Sequence, residues 1–176
     1  MLSKYKIVTL LLCEFCMRAT YFLILPILPF VVRDAGLKEE FVGYVFAFFG
    51  IGSTVGSLAG GKVLEYVGRK SLLLTSFVVF ALLYIPVGAI ELMEDKDQVA
   101  FTLLAGRLVQ GFCGGCAYTA LCATFMQEAK DDEQRQNLYT LRHLVDSLGL
   151  VFGPIIGAFI YSATTSLFSQ ALGILR

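Results

Sequence analysis

Five stretches of this sequence are each long and apolar enough to cross a lipid bilayer. Lipid cannot hydrogen-bond the peptide backbone, so a spanning segment must be a helix of about 20 mostly apolar residues. Such stretches occur at approximately residues 7–33, 39–61, 71–91, 99–127 and 138–165. The sequence therefore predicts an all-α integral membrane protein with five transmembrane helices, packed as one bundle over residues 1–165 and followed by a short C-terminal tail at 166–176.

Basic residues between the stretches predict the orientation of the chain. Cytoplasmic loops of membrane proteins are enriched in Lys and Arg. With the N-terminus in the cytoplasm, the far side holds Arg33, Lys38 and Lys96, whereas the cytoplasmic side holds Lys4, Lys6, Lys62, Arg69, Lys70, Lys130 and Arg135. The first apolar stretch is longer than that of a signal peptide. We therefore expect it to be retained, in a multi-pass protein with a cytoplasmic N-terminus.

Composition argues against several other classes of function. The formal net charge is zero, so nothing indicates a nucleic-acid partner. No nucleophile and base stand at a usable spacing, and no glycine loop for phosphate is present, so we expect no enzyme activity. The five cysteines, Cys13, Cys16, Cys113, Cys116 and Cys122, lie in apolar sequence without a nearby second type of metal ligand. We expect them to be small buried hydrophobic residues, with no metal and no cofactor.

A short charged segment, GGKVLEYVGRK, separates the second and third stretches. Its Gly61, Glu65, Gly68, Arg69 and Lys70 resemble the cytoplasmic loop signature of the major facilitator superfamily, usually Gly-x-Leu-x-Asp-Arg-x-Gly-Arg-Arg. Glu replaces the usual Asp and keeps its charge, so an ion pair with the arginine one turn later remains open. A tyrosine replaces the usual basic residue. The resemblance implies a membrane transporter.

Two more segments resemble motifs of the same family. The fourth stretch contains Arg-x-x-Gln-Gly at Arg107, Gln110 and Gly111, as in the family's fourth helix. The fifth stretch resembles the family's antiporter motif, with Gly149, Gly153, Pro154 and Gly157 and an alanine for the last glycine. The three motifs follow in family order over about residues 7–165. The resemblance implies the N-terminal bundle of a proton-coupled drug or vesicular amine antiporter.

Four of the charged residues inside the predicted helices are candidates for a functional site. Glu14 and Arg18 are one turn apart on the first helix, and Asp146 and Arg107 lie on the fifth and fourth helices. Charges within a membrane should face the bundle interior and find partners, so we expect these four to form one polar cluster. Burial disfavours a charged carboxylate and a nearby arginine favours it. We therefore expect Asp146 or Glu14 to carry a proton, Arg107 to modulate it, and Arg18 to be a second modulator or a solute contact. The alternative for Arg107 is a structural ion pair.

Other residues of these helices have weaker interpretations. Tyr21 and Phe22 could line a cavity for an organic cation. Arg142 and His143 are expected to reach the cytoplasmic interface. Pro26 and Pro29 could each bend the first helix near its outer end, and the alternative is that proline is simply tolerated there. Glycines spaced by four residues should allow close helix packing, and they are Gly52, Gly56, Gly60, Gly111 and Gly115, with those of the antiporter motif.

The resemblance also implies a partner for this bundle. Family transporters use two six-helix halves that give alternating access to a central site, and five helices do not complete that pathway. The chain could be part of a longer transporter, or it could pair with a second half on another subunit. In both cases it would exchange a small organic solute, with a cation as one candidate, for protons across the lipid bilayer. The third interpretation is a truncated relative that serves as a structural subunit of a larger membrane complex without transport.

Overall fold

The computed structural model describes residues 2–93, 95–129 and 131–174, and these are almost entirely helical. Side chains are described for residues 5–86, 88–90, 93, 95–129 and 131–163. Lys130, which contributed to the predicted orientation, lies outside the described residues. The elements are α1 (Leu2–Leu23), α2 (Leu28–Asp34), α3 (Glu40–Val67), α4 (Arg69–Leu82), α5 (Tyr84–Gly88), a 3-10 helix (Ala89–Leu92), α6 (Lys96–Glu128) and α7 (Asp132–Ile174).

The described residues contain five segments that could cross a membrane, as the sequence predicts. They are Tyr5–Asp34, Glu40–Val67, Arg69–Pro86, Lys96–Glu128 and Asp132–Ala163. Helix α3 continues six residues past its predicted end, and α7 continues through most of the predicted tail to Ile174. Apolar runs locate the part of a helix that lies in lipid, but polar turns extend the same helix beyond it. The chain is an integral multi-pass membrane protein with an all-α fold.

Prolines interrupt two of the five spans. Proline lacks an N–H donor and its ring clashes with the carbonyl four residues earlier. Helix α1 ends at Leu23, shortly before Pro26, and α2 begins at Leu28, so the helix is interrupted next to the proline. The third span was expected as one helix over 71–91, but α4 ends at Leu82, four residues before Pro86. Pro154, in contrast, lies inside the continuous helix α7.

A single glycine connects α3 to α4 in the segment that carries the loop signature. Helix α3 ends at Val67 and α4 begins at Arg69, so Gly68 alone turns the chain. Its φ is +80° and its ψ is 156°, a region that only glycine adopts readily. Glu65 and its neighbours belong to the last turns of α3. The glycine of the signature is therefore explained by backbone geometry.

The chain forms two compact units. One unit runs from α1 to Val31 and from Asn137 through α7, and the other is Val32–Gln136. In the first unit, α1 packs along α7. In the second unit, α6 packs against α3 and α4 and contributes many of the fully buried side chains, including Leu103, Ala120 and Leu121.

Candidate functional site

Three glycines bring α7 into backbone contact with α1. A Cβ atom added at Gly149 would lie 2.6 Å from the Arg18 Cβ, and one at Gly153 would lie 2.6 Å from the Ala19 carbonyl oxygen. A Cβ at Gly157 would overlap the carbonyl oxygen of Leu23. Small residues of this kind allow membrane helices to approach closely, where no hydrophobic effect drives them together. The glycines of the antiporter motif thus fix how α7 lies along α1.

One and two turns before these glycines, the same two helices share a network of charges. Glu14 on α1 accepts hydrogen bonds from Arg142 on α7, with Nε to Oε2 at 3.3 Å and Nη2 to Oε1 at 3.5 Å. Arg18 Nε lies 3.8 Å from Glu14 Oε1 and also forms an ion pair with Asp146 on α7. Two arginines and two carboxylates therefore alternate in sign, and their formal charges sum to zero.

The two pairs of the network differ in burial. Glu14 is 0% exposed and Arg142 is 2% exposed, whereas the Arg18 and Asp146 side chains are 33% and 26% exposed. A buried pair of opposite charges is hard to separate, because either partner left unpaired would be an uncompensated buried charge. The pair of Arg18 and Asp146 is less enclosed by protein. The network thus contains a buried pair, Glu14 with Arg142, and a partly exposed pair, Arg18 with Asp146, which is called the open pair below.

Arg107 and Gln110 lie in the other compact unit, on α6. Both are fully buried, and the Arg107 guanidinium carbon is 5.9 Å from the centre of the Phe49 ring on α3. Within the described residues, the side-chain amide of Gln110 has no hydrogen-bond partner. The structure therefore brings together three of the four charges expected to cluster, namely Glu14, Arg18 and Asp146, and places Arg107 in a separate unit.

The glycines of α3 and α6 form a second close contact, inside the unit that holds Arg107. A Cβ at Gly56 would overlap the carbonyl oxygen of Phe112, and one at Gly115 would overlap that of Ser53. Thr119 Oγ1 donates to the Ser57 carbonyl at 3.3 Å, and such bonds hold membrane helices together. The glycine of the fourth-helix motif, Gly111, likewise lies against the Phe49 carbonyl.

The residues of the loop signature lie on the surface of α3 and at the start of α4. Glu65 is exposed and Arg69 is half-buried, and these two described side chains do not form the ion pair that the sequence left open. Gly61 and Lys70 are exposed, and a Cβ at Gly61 would meet nothing within 4 Å. The signature therefore contributes a turn and a charged surface to this conformation.

Arg142 is the member of the network that sequence reasoning missed. It was expected at the cytoplasmic interface, but it is buried against Glu14, and its neighbour His143 is exposed. The sequence did contain a sign of this position. Arg142, Asp146 and Gly149 are four and three residues apart, so they share a face of α7.

The cysteines divide between buried and more accessible positions. Cys113 and Cys116 are buried, Cys13 and Cys122 are half-buried, and Cys16 is exposed. The Cys116 thiol lies 3.2 Å from the Gly56 carbonyl oxygen as a donor. Among the residues that the structure describes, no three His, Cys, Asp or Glu side chains come together as a metal site would require.

Comparison with known proteins identifies the family. The family's sequence model, that of the Major Facilitator Superfamily, matches residues 10–174 of this chain. This chain belongs to the major facilitator superfamily. It is 23% identical over 156 residues to the quinolone resistance protein NorA of Staphylococcus aureus (strain MRSA252), covering 87% of this chain and 38% of that protein. It is 27% identical over 133 residues to the multidrug resistance protein MdtL of Shewanella sp. (strain ANA-3), covering 76% and 32%. This superfamily member thus spans about a third of the length of these two relatives.

Proposed function

We propose that this protein is a secondary active transporter that exchanges a small organic solute for protons by alternating access. The observation that carries the proposal is the network of Glu14, Arg18, Arg142 and Asp146 between two membrane helices. Charges are expensive within a membrane and are typical of ion and solute pathways. A carboxylate that gains and loses its arginine partner supplies the proton step that such exchange needs.

Within this network, Asp146 is the proton carrier and Glu14 is its supporting charge. Asp146 is 26% exposed whereas Glu14 is 0% exposed, so Asp146 is the carboxylate that the protein does not fully enclose. Protonation of Asp146 releases Arg18, whose Nε lies 3.8 Å from Glu14, so Glu14 accepts the released arginine. The charged groups around Asp146 in this unit are Arg18 and Glu14 on α1, with Arg142 and the exposed His143 on α7. Arg107 on α6 is the modulating charge of the cycle.

The nature of the solute follows from weaker observations. The similar proteins are named for resistance to quinolones and to multiple drugs, which favours an organic solute. The rings of Tyr21 and Phe22 meet edge to face at 4.7 Å, one turn beyond Arg18, and aromatic faces attract cations. The transporter works with a second six-helix half, on the same longer chain or on another subunit, and with its N-terminus in the cytoplasm.

The test measures solute-driven proton movement in membrane vesicles that contain the native protein with its second half. The probe is the fluorescent organic cation ethidium, and a pH-sensitive dye reports protons. Asp146→Asn should abolish proton movement while exchange of labelled for unlabelled probe continues. The matched control is Glu40→Gln, an exposed carboxylate at the start of α3, which should behave as the wild type. Unchanged proton movement in Asp146→Asn would contradict its role as the proton carrier. Unchanged movement in Glu14→Gln and in the double variant as well would contradict proton exchange through this network.

A structural subunit without transport is the second candidate, since a neutral charge network also holds two helices in register. Removing both charges of the open pair distinguishes the two functions. The double variant Arg18→Gln with Asp146→Asn leaves the pair of Glu14 and Arg142, whose charges cancel. For a structural subunit it should keep assembly and function together. For the proposed transporter it should keep folding but lose proton movement.

A further inference from the structure

Two glycines of α6, Gly111 and Gly114, pack against Phe49 of α3. A Cβ at Gly111 would overlap the Phe49 carbonyl oxygen, so the backbones touch there. A Cβ at Gly114 would lie 3.6 Å from the Phe49 ring atom Cζ and 3.8 Å from the Phe80 ring atom Cε2. Phe80 of α4 is buried and packs edge to face on Tyr84 at 5.7 Å. The Phe49 ring is therefore held from its backbone side and from its tip.

The Phe49 ring also lies next to the guanidinium group of Arg107. The Arg107 Cζ atom lies 5.9 Å from the ring centre, within the roughly 6 Å over which a cation is attracted to an aromatic face. Arg107 is fully buried, and this attraction strengthens when the cation is removed from water. An arginine also has several rotatable bonds, so a fixed neighbouring ring restricts where its charge can lie.

We propose that Phe49 is a positioning residue for Arg107. Its aromatic face holds the guanidinium in one place, so that the charge of the fourth-helix motif acts at a constant position during the transport cycle. Gly111 and Gly114 serve this arrangement by letting the Phe49 backbone and ring lie directly on α6. The proposal rests on the function proposed above for Arg107. It requires an aromatic ring at position 49, beyond a side chain of suitable volume.

The first test separates the aromatic face from simple packing. Phe49→Leu should lower solute-driven proton movement by about two- to thirtyfold, the range expected for losing one such contact. Its pH profile should move toward that of Arg107→Gln. Phe49→Tyr and Phe49→Trp should restore both the rate and the profile. The control Phe101→Leu changes a phenylalanine of α6 that is 74% exposed and should leave both unchanged. A wild-type rate and profile in Phe49→Leu would overturn the proposal, as would failure of both aromatic variants when they fold.

The second test does not depend on transport. Thermal unfolding midpoints of the purified protein are compared for the wild type, Phe49→Leu, Arg107→Gln and the double variant. If the ring holds the guanidinium, the double variant should be shifted by clearly less than the sum of the single shifts. Additive shifts would overturn the proposal. If the wild type transports nothing but the shifts are non-additive, the proposed transport function is contradicted, whereas the proposed contact between Phe49 and Arg107 is supported.

Discussion

At the scale of single residues, the buried pair of Glu14 and Arg142 is expected to have a large effect on the free energy of unfolding. Glu14→Gln removes one partner and leaves Arg142 with a buried positive charge, which should lower the free energy of unfolding by about 3–5 kcal/mol. The double variant Glu14→Gln with Arg142→Gln removes both charges and should recover most of that loss. Denaturant titration of the protein in one detergent measures these differences.

The control for this prediction is an exposed ion pair on the same helix. Arg135 Nη1 lies 2.9 Å from Asp132 Oδ1, with the two side chains 46% and 95% exposed. Exposed pairs contribute about 0.2–1 kcal/mol, so Arg135→Gln should have little effect on the free energy of unfolding. A loss in Glu14→Gln no larger than that in Arg135→Gln would show that the buried pair does not stabilise the fold.

The sequence could predict part of this network and not the rest. The spacing of Glu14 and Arg18 on one helix, and of Arg142 and Asp146 on another, shows which residues share a face. It does not show how far one helix is shifted along the other, and that shift places Arg142 against Glu14. The charges were therefore predictable as candidates, but their pairing required the packing of α1 on α7.

At the scale of helices, the glycine contacts predict sharply different effects for the same substitution on α3. Gly56→Ala would place a Cβ against the carbonyl of Phe112 and should lower the free energy of unfolding by about 1–3 kcal/mol. Gly50→Ala has nothing within 4 Å of the added Cβ. It should be neutral or stabilising by up to about 1 kcal/mol, because alanine favours helix more than glycine does. Both variants are compared by unfolding in the same detergent, and equal effects would contradict the close contact of α3 and α6.

Helix number was predictable, whereas helix ends and breaks were less so. Apolar length identifies a spanning segment because lipid demands a helix there. The polar turns that carry α3 to Val67 and start α7 at Asp132 have no such signature. Proline gives a rule that depends on context. It ends α1 near Pro26 and α4 before Pro86, yet α7 continues through Pro154, where the glycines of the motif place α7 directly against α1.

At the scale of the whole molecule, membership of the superfamily was predictable because three short motifs occur in order on the correct helices. Each motif contains residues with a specific physical task, such as the turn at Gly68 and the contact at Gly111. The identity of the solute is a different matter. In this architecture a solute contacts both halves of a transporter, and this chain spans about a third of the length of its two relatives.

The central claim is that this bundle works as one half of a two-half transporter, and the mass of the native protein tests it most directly. Native mass spectrometry of the complex released from its own membrane gives the total protein mass. The account predicts at least about twice the 19.3 kDa of this chain, as one longer polypeptide or as paired subunits, because alternating access needs two halves. A native particle that contains a single 19.3 kDa chain would contradict it.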